Sequence, residues 1–492
     1  MSKNLAIFLK ECSNHLVNME TTVEILEEIE KVVGNKYLLL GTEMAPFSAD
    51  WTRKYISRPK AVVKPLSTFE VSEVVKICNK NDIRIVPVSG NTGLAGGTSA
   101  DDSIIISLER LNKVTNINKD AKIATVESGV ILSNLHELLK TKGLIFPLTF
   151  GAKGSAMIGG VLSTNAGGSN VLRYGNTRAL CMGIEVVLPD GRIMNLMNEL
   201  HKDNTGYDLK NLIIGAEGTL GIITAAVLKL SPEPISHATA MIATPSLDNA
   251  LNVLNKLQEA TGGCVDAFEY MPKEYIETHL KKVSSARLPF NKLYKVNIML
   301  EVSTTIPEKG LQTANGETPL VLELEKTLSE LMVTDDILDA IIAKSEAERN
   351  EMWERREASA EITITGEPLI IADISVPLDK VTKFIEKMDK AIETLDPGAR
   401  SLTVAHLGDG NIHYAIYPTR EDPSLFDVLN NSIEDIIQSL GGSFSAEHGV
   451  GISKKKSMAR LKDPIALEVM KAIKNTFDPK NLMNPGKVLP DS

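Results

Sequence analysis

The stretch Ser89-Gly90-Asn91-Thr92-Gly93-Leu94-Ala95-Gly96-Gly97 decides the fold, because it stands between two strand-like apolar runs, residues 83–88 and 101–108. The glycine turn of a Rossmann dinucleotide-binding domain has the spacing GxGxxG and leads directly into a helix. Here the spacing is GxxGxxGG, and a strand follows. The sequence therefore predicts a phosphate-binding fold of another class.

Two further glycine clusters follow. The second cluster spans residues 151–168 (Gly151-Ala152-Lys153-Gly154-Ser155 through Asn165-Ala166-Gly167-Gly168), and the third is Gly215-Ala216-Glu217-Gly218-Thr219-Leu220-Gly221. Backbone N–H groups in such loops can converge on phosphate oxygens without lysine, and no GKS or GKT marks a P-loop. Each cluster alone also fits a tight turn that needs positive φ. Together they favour a site for a long, bent ligand that carries a pyrophosphate.

Helix and strand patterns alternate around these clusters, which predicts an α+β lobe ending near residue 232. Ser67 and Glu70 form a capping box that opens an amphipathic helix. Longer amphipathic helices begin beyond residue 241. Other expected elements are strands at 122–127, 182–188 and 221–230, helices at 133–142, 247–261 and 464–477, and a polar loop at 303–319.

Composition excludes several classes of function. The 492 residues carry 63 acidic and 53 basic side chains, a net charge of −10 that repels nucleic acid, and aromatic residues make up only 4%. No run approaches the roughly 18 apolar residues of a membrane span, and the N-terminus lacks the features of a signal or transit peptide. The cysteines form no CxxC pair, as is typical of buried thiols in a reducing compartment. We therefore expect a cytoplasmic protein. The cysteines are Cys12, Cys78, Cys181 and Cys264.

Three of the eight histidines lie within 43 residues of one another. His406 and His413 flank a Gly-Asp-Gly turn that predicts a hairpin, and Glu447 precedes His448. A hairpin can bring its two imidazoles to one point. Two histidines and a carboxylate are ligands that a catalytic divalent metal prefers, zinc above all, with manganese, cobalt or iron as alternatives. The competing interpretation is that each histidine satisfies a local backbone bond.

Several motifs between residues 51 and 490 resemble, in consistent order, those of FAD-linked D-2-hydroxyacid dehydrogenases of the vanillyl-alcohol oxidase superfold. The resemblance is to the branch that contains D-2-hydroxyglutarate and D-lactate dehydrogenases. Besides the three glycine clusters, the motifs are Arg173-Tyr174-Gly175 and Asp203-Asn204-Thr205-Gly206-Tyr207-Asp208-Leu209. The resemblance implies an α+β fold, with a two-subdomain FAD-binding lobe and an inserted substrate lobe built on an antiparallel sheet.

The resemblance also implies a division of the chain. We expect an N-terminal helical segment at residues 1–50, an FAD-binding domain at 51–232 and a substrate domain carrying the metal site at 233–450. Residues 451–492 are expected to return to the FAD-binding domain. The first glycine cluster has Asn91 and Thr92 where some members of the superfold attach FAD through a histidine. We therefore expect FAD to be bound noncovalently.

The resemblance carries roles over to individual residues. It implies metal ligation by His406, His413 and Glu447, a catalytic base at His448, and a contact between Arg356 and the substrate carboxylate. The implied FAD-binding residues are Pro87, Ser89, Gly90, Asn91, Thr92, Gly93, Leu94, Gly97, Thr98, Pro147, Gly151, Gly154, Ser155, Ile158, Gly159, Asn165, Gly167, Gly168, Arg173, Tyr174, Gly175, Glu217, Gly218, Gly221, Ile222, Ile223 and Asn484.

The expected reaction is oxidation of a D-2-hydroxy acid to the 2-oxo acid. A metal ion acidifies the substrate hydroxyl, neutral His448 removes its proton, and the Cα hydride passes to flavin N5. We expect the electrons to go to an acceptor other than oxygen or NAD, such as an electron-transfer flavoprotein, a quinone or a cytochrome. The alternatives are a non-redox transferase on the same fold and a flavin-binding subunit without catalysis. The oligomeric state is left open, with a homodimer as one option.

Three positions depart from the hydroxyglutarate pattern. Ala360, Ile371 and Ala415 stand where members specific for 2-hydroxyglutarate have polar residues. A buried distal carboxylate without partners is costly, so we expect a smaller or more apolar D-2-hydroxy acid to be favoured. The run Lys454-Lys455-Lys456 is interpreted as a solvated surface.

Overall fold

A computed structural model describes residues 23–312, 316–364, 366 and 368–491. The first 22 residues of the expected N-terminal helical segment lie outside the described residues. Residues 23–33 form a helix, α1. Within the described ranges, none of the helices combines the length and the apolar character needed to cross a bilayer.

The strands fall into three larger sheets and one short pair. In chain order they are β1 (Leu38–Leu39), β2 (Ala61–Val63), β3 (Ile85–Val88), β4 (Ile104–Ser107), β5 (Val114–Asn118), β6 (Ile123–Glu127), β7 (Leu144–Ile145), β8 (Cys181–Val187), β9 (Ile193–Leu196), β10 (Ile222–Lys229), β11 (Ser231–Pro232), β12 (Ser236–Thr244), β13 (Val265–Pro272), β14 (Val296–Thr304), β15 (Asp339–Ile342), β16 (Ile370–Ser375), β17 (Arg400–His406) and β18 (Asn411–Tyr417).

The helices cover these sheets. They are α2 (Thr68–Lys80), α3 (Leu132–Lys140), α4 (Ile158–Ser163), α5 (Val171–Tyr174), α6 (Leu209–Ile213), α7 (Leu247–Thr261), α8 (Lys273–Lys282), α9 (Pro307–Gly310), α10 (Pro319–Val333), α11 (Glu346–Glu357), α12 (Ser359–Thr363), α13 (Val381–Leu395), α14 (Pro423–Ser439), α15 (Lys455–Leu461) and α16 (Pro464–Phe477). Short 3-10 helices occupy Asn35–Tyr37, Gly41–Phe47, Gly151–Gly154 and Leu378–Lys380.

Two sheets build the first lobe. One has the order β1-β2-β4-β3, with β4 parallel to both β2 and β3, and the other has the antiparallel order β5-β6-β10-β8-β9. Helix α2 begins as predicted, because the Ser67 hydroxyl caps the Glu70 amide, and it buries Val71, Val74 and Val75. The first glycine cluster leads into strand β4, which confirms that it is not a Rossmann turn.

The second lobe is built on an antiparallel seven-stranded sheet with the order β15-β12-β14-β13-β17-β18-β16. Helices α7, α10, α13 and α14 cover one face through a large apolar core. Strand side chains alternate between faces, and the other face carries a row of polar groups as well as a smaller apolar cluster. On that face lie Asp266, Glu269, Glu301, Asp373, His406 and His413.

The C-terminal segment packs onto the first lobe. The Ile85 amide donates to the Leu482 carbonyl, and the Asn484 amide donates to the Ile85 carbonyl. The buried Lys474 ammonium ties α16 to the third glycine cluster by donating to the Thr219 carbonyl. Residues far apart in sequence thus complete one surface.

The prediction of a polar loop at residues 303–319 is wrong in part. Ser303 and Thr304 end β14, and α9 forms at Pro307–Gly310. Proline at the first position of α9 suits a helix start, and Ser303 is buried. Pairing with β12 holds this strand end in the sheet despite its polar side chains.

Candidate active site

The histidine hairpin consists of β17, the turn at residues 407–410, and β18. The hairpin was predicted, and β17 pairs antiparallel with β18 from Arg400↔Tyr417 to His406↔Asn411. Gly410 has φ +80°, which suits glycine in this turn. The two imidazole ring centroids lie 5.3 Å apart, so the hairpin brings both rings to one place.

Glu447 joins the two histidines. Ligand atoms of His406, His413 and Glu447 all lie within 4.8 Å of one another. Burial raises the pKa of Glu447 to about 7, and none of the described residues donates a hydrogen bond to its carboxylate. Burial and the adjacent His406 lower the pKa of His413 to about 3, which keeps that imidazole neutral. Two imidazoles and an unsatisfied buried carboxylate fit a divalent metal.

Glu269 links a predicted metal ligand to the predicted substrate arginine. Its Oε1 accepts from His406 Nδ1 at 2.9 Å, and its Oε2 accepts from Arg356 Nε at 2.7 Å. Arg356 Nη2 lies 3.5 Å from His406 Nε2. The Glu269 contact favours the tautomer with hydrogen on Nδ1, since a carboxylate accepts and does not donate. That tautomer leaves the Nε2 lone pair of His406 available to a metal.

Asp373 organises the other side of the cluster. Its Oδ2 accepts from the backbone amides of Glu447 at 2.9 Å and His448 at 2.8 Å. Its Oδ1 accepts from Asn411 Nδ2 at 3.0 Å. Burial alone would raise the pKa of Asp373, but His448, Lys454 and these bonds hold it below its usual range. The ligand atoms of Asp373, His413 and His448 also lie within 4.8 Å of one another. Both carboxylate oxygens of Asp373 are, however, already engaged in hydrogen bonds.

His448 lies over the same cluster. Its ring stacks on His413 with centroids 5.9 Å apart, and its Nδ1 lies 3.7 Å from Asp373 Oδ2. Burial lowers the pKa of His448, Asp373 opposes that shift, and Lys454 adds to it. The net direction favours the neutral imidazole that a general base needs.

The interpretation of residues 454–456 as a solvated run is wrong for Lys455, whose side chain is 15% exposed and pairs with Asp491. It is also wrong for Lys454. Its side chain is 17% exposed, and its Nζ donates to Ser445 Oγ at 3.0 Å and to the Asp373 carbonyl at 3.3 Å. The ammonium lies 3.6 Å from the Asp373 carboxylate. Lys454 is turned inward because the 445–453 loop folds back across Asp373, which a charge run in the sequence does not reveal.

The glycine clusters converge next to this loop. A Cβ atom on Gly90 would lie 2.2 Å from the Ser155 carbonyl oxygen, so the first and second clusters touch through backbone. Gly218, with φ +71°, packs equally tightly on Pro87. Asn484 Nδ2 donates to the carbonyls of Gly97 and Glu217. The clusters therefore form one continuous surface, as a long pyrophosphate-bearing cofactor requires.

The predicted cofactor residues line this surface in different ways. No heavy atom lies within 4 Å of a Cβ built on Gly93, Gly151 or Gly154, so their backbone faces open space. Asn484 Oδ1 is buried and has no partner among the described residues. Both features fit a bound FAD. The side chains of Ile158, Ile222 and Ile223 are instead buried in apolar cores, so only their backbone could meet a ligand.

Several predicted cofactor side chains make protein contacts, among them those of Asn91, Glu217 and Arg173. The Asn91 amide donates to the Ala49 carbonyl. The Glu217 carboxylate accepts from the backbone amides of Val450 and Gly451 at 2.7 and 2.8 Å, which ties the third glycine cluster to the 445–453 loop. Arg173 donates to groups of the second lobe.

The residue pair next to the second histidine on the sheet face is apolar. Ile371 pairs with Ala415 in register, one step along the sheet face from Asp373 and His413. Ala415 is buried in an apolar cluster, while Ile371 is 47% exposed and Ala360 is exposed. The sheet therefore presents an aliphatic rim beside the candidate metal site.

Comparison with known proteins covers nearly the whole chain. The family model for the FAD binding domain matches residues 59–197, and that for the C-terminal domain of FAD linked oxidases matches residues 233–488. A D-2-hydroxyglutarate dehydrogenase of Bos taurus is 33% identical over 94% of this chain and 83% of its own length. One from Stutzerimonas stutzeri is 31% identical over 95% of this chain and 99% of its own length.

The chain belongs to the FAD-linked D-2-hydroxyacid dehydrogenases. As an enzyme of this class, it oxidises a hydroxy acid with FAD. A relative from Saccharomyces cerevisiae, 31% identical over 91% of this chain and 90% of its own length, is named a D-2-hydroxyglutarate–pyruvate transhydrogenase. Several relatives are named as mitochondrial proteins, so the cytoplasmic location stays a prediction.

Solved structures show the vanillyl-alcohol oxidase fold for this dehydrogenase. A p-cresol methylhydroxylase with bound substrate matches with a TM-score of 0.72 at 16% identity, covering 95% of this chain and 96% of its own. An alkyldihydroxyacetonephosphate synthase matches with a TM-score of 0.70 at 17% identity, and the match covers 94% of this chain and 86% of that protein's chain. These likenesses confirm the predicted fold class.

Glu269 and Asp373 are candidate-site residues that the sequence analysis did not assign, and the role of Glu217 in binding the 445–453 loop was missed as well. A usable signal was present for the first two. Each is a charged residue inside a strand whose neighbours are mostly apolar, at Val265–Pro272 and Ile370–Ser375. A buried charge is costly unless paired, so it indicates a partner.

Proposed function

We propose that this dehydrogenase oxidises a D-2-hydroxy acid at the histidine hairpin, with a divalent ion, most simply zinc, held by His406, His413 and Glu447. The observation that carries the proposal is the convergence of these three ligands with neutral His448 beside the glycine clusters. When bound, the ion supplies a Lewis acid for the substrate hydroxyl, and noncovalent FAD supplies the hydride acceptor.

The chain's own residues bind and orient the substrate. Arg356 has Nη2 at 3.5 Å from His406 Nε2, so its guanidinium reaches the same space as the ligands. A guanidinium donates two parallel hydrogen bonds to a carboxylate. Glu269 holds that guanidinium by accepting from Nε, and each Nη group keeps one hydrogen for the substrate besides its contact with Ser359 Oγ or His406 Nε2.

His448 is the proposed proton acceptor. Its Nδ1 faces Asp373, so the Nε2 atom is the one free to take the hydroxyl proton. Asp373 fixes the His448 backbone and stabilises the imidazolium that forms. General base catalysis of this kind contributes about a hundredfold to ten-thousandfold.

The first substrate candidate is D-2-hydroxyglutarate, because the bovine and Stutzerimonas relatives carry that name. A second candidate is a smaller acid such as D-lactate or glycolate. It is favoured by the aliphatic rim of Ile371 and Ala415, which offers no donor to a distal carboxylate. The acceptor is proposed to be an electron-transfer flavoprotein, a quinone or a cytochrome. A 2-oxo acid is a further acceptor, after the name of the yeast relative.

The test is anaerobic mixing of the FAD-loaded protein with a panel of D- and L-2-hydroxy acids, with and without EDTA. We expect the D-enantiomers alone to bleach the flavin, and EDTA followed by gel filtration to abolish the bleaching. Added Zn²⁺ should restore it. Bleaching that survives complete removal of metal would contradict the metal part of the proposal.

A further inference from the structure

Helix α5 of the first lobe reaches across to the second lobe. Arg173 Nη1 donates to Asp266 Oδ1 at 2.7 Å and to Ser303 Oγ at 2.7 Å, and it also lies 3.2 Å from the Ser303 carbonyl oxygen. The side chains of Arg173 and Asp266 are 14% and 7% exposed. This largely buried ion pair therefore joins two lobes, on the polar face of the seven-stranded sheet.

Leu172 makes a second contact across the lobes. A Cβ atom on Gly408 would lie 2.6 Å from Leu172 Cδ2, so the Leu172 side chain packs directly on the backbone of this glycine. Gly408 lies in the turn of the histidine hairpin, two residues after His406. Leu172 also packs against the apolar core of the second lobe.

A third contact comes from the end of the second glycine cluster. A Cβ atom on Gly167 would lie 2.7 Å from Glu447 Oε1 and 3.3 Å from Val171 Cγ2. Residues 167–173 thus touch β13, the hairpin turn and the Glu447 carboxylate. The same short segment continues directly from a glycine cluster of the cofactor surface.

We propose that residues 167–173 form an interlobe clamp, in which Arg173 is a positioning residue that sets the distance between the histidine hairpin and the cofactor surface. The inference rests on the proposed function, since it is the hairpin ligands and the bound FAD that must be aligned. It differs from the cofactor role that the family resemblance implies for Arg173. The guanidinium is held by Asp266 and Ser303 of the second lobe and lies over the ring of Tyr174.

The clamp should affect the reaction rate more than binding. Hydride transfer requires the reacting atoms to lie at about 3–3.5 Å, and a misplacement of about 1 Å can cost about a hundredfold in rate. FAD binds within the first lobe, and the substrate carboxylate is proposed to bind within the second. Loosening the contact between the lobes therefore changes their alignment and leaves each binding surface intact.

The experiment compares Arg173→Met with Arg349→Met. Arg349 pairs with buried Glu301 on the neighbouring strand, with Nε at 2.7 Å from Oε2, but both residues belong to the second lobe. Each variant leaves one buried carboxylate without its arginine, although Glu301 keeps hydrogen bonds from Thr239 and Trp353. For each holoenzyme one measures FAD affinity by fluorescence titration, the limiting rate of anaerobic flavin reduction, and the substrate concentration at half of that rate.

We expect Arg173→Met to lower the limiting rate about tenfold to a hundredfold, while FAD affinity and the half-saturating substrate concentration stay within about twofold. Arg349→Met should keep the wild-type rate. Arg173→Lys, which retains a positive charge, should recover part of the rate. It also serves as the test variant if the methionine variant does not fold.

Three results would overturn the clamp. Weakened FAD binding in Arg173→Met, with a normal rate per bound flavin, would show a cofactor contact instead. A wild-type rate in Arg173→Met would show that the ion pair aligns nothing. An equal loss of rate in Arg349→Met would point to general destabilisation. Failure of the wild-type protein to reduce its flavin with any D-2-hydroxy acid would instead refute the proposed function, so the two failures are distinguishable.

Discussion

Asp373 and His448 are joined through the backbone, because Asp373 Oδ2 accepts a hydrogen bond of 2.8 Å from the His448 amide. The same oxygen accepts from the amide of Glu447 at 2.9 Å. One buried carboxylate on strand β16 thus fixes both the proposed base and a proposed metal ligand. The position of the 445–453 loop depends on it.

Asp373→Asn should weaken zinc binding and slow flavin reduction. Asparagine keeps one carbonyl oxygen for the two loop N–H groups, but its NH₂ group then faces the Asn411 amide donor, and the negative charge beside His448 and Lys454 is lost. Supporting residues of this kind typically contribute about tenfold to a hundredfold in metal affinity. Titration of the metal-free variant with Zn²⁺ measures the loss.

Asp396→Asn is the matched control for this change. Asp396 is equally buried in the same lobe and accepts from the Thr419 amide at 2.8 Å, away from the histidines. It should lose stability without losing zinc affinity. Equal zinc affinity in Asp373→Asn and the wild type would show that Asp373 does not support the site.

Glu269→Gln should raise the substrate KM and lower stability. The change removes the charge that pairs with both Arg356 and His406 but keeps the shape. Breaking a buried pair in this way costs about 3–5 kcal/mol. Urea unfolding followed by circular dichroism gives the stability, and steady-state kinetics give KM. Glu301→Gln, which breaks the Arg349 pair, should lower stability similarly and leave KM unchanged. A raised KM in both variants would remove the specific role of Glu269.

Acid should destabilise the wild type more than Glu301→Gln. Burial would raise the pKa of Glu301, but His237 and Arg349 hold it well below its usual range. A carboxylate with a lower pKa in the folded state adds stability above its unfolded value, near 4.3, and loses it as pH falls below that value. The difference in unfolding free energy between the two proteins should therefore shrink from pH 7 to pH 3. A difference independent of pH would contradict this assignment.

Ile371→Lys should shift substrate preference toward 2-hydroxyglutarate. The new ammonium would stand on the sheet face beside His413, where Ile371 and Ala415 present aliphatic groups. An added charge-assisted hydrogen bond is worth about 1.5–3 kcal/mol, or roughly tenfold to a hundredfold in the ratio of kcat/KM for 2-hydroxyglutarate over lactate. Ile465→Lys on exposed α16 is the control for added charge. An unchanged ratio would place the distal end of the substrate elsewhere.

Local signals made the histidine hairpin and the glycine clusters predictable from the sequence. The Gly-Asp-Gly turn depends only on residues that are neighbours in the sequence, and the apolar run after the first glycine cluster predicts a strand there. Glu269 and Asp373 could not be paired in the same way. Their partners His406 and His448 lie 137 and 75 residues away, and only the register of the seven-stranded sheet and the fold of the 445–453 loop bring them together.

Two kinds of residue could be predicted only in part from the sequence. The role of Arg356 is predicted by the family resemblance alone, and its side chain is buried. Lys454 and Lys455 are predicted to be solvated but are largely buried, since a run of lysines gives no sign of which members turn inward. The domain boundaries and the contacts to FAD stay predictions.

The most direct test of the proposed mechanism is single-turnover flavin reduction by His448→Ala. The variant should bind FAD and zinc like the wild type, because His448 is not among the proposed ligands. We predict that anaerobic mixing with a saturating D-2-hydroxy acid reduces its flavin at least about a hundredfold more slowly than that of the wild type. Reduction at the wild-type rate would contradict the account.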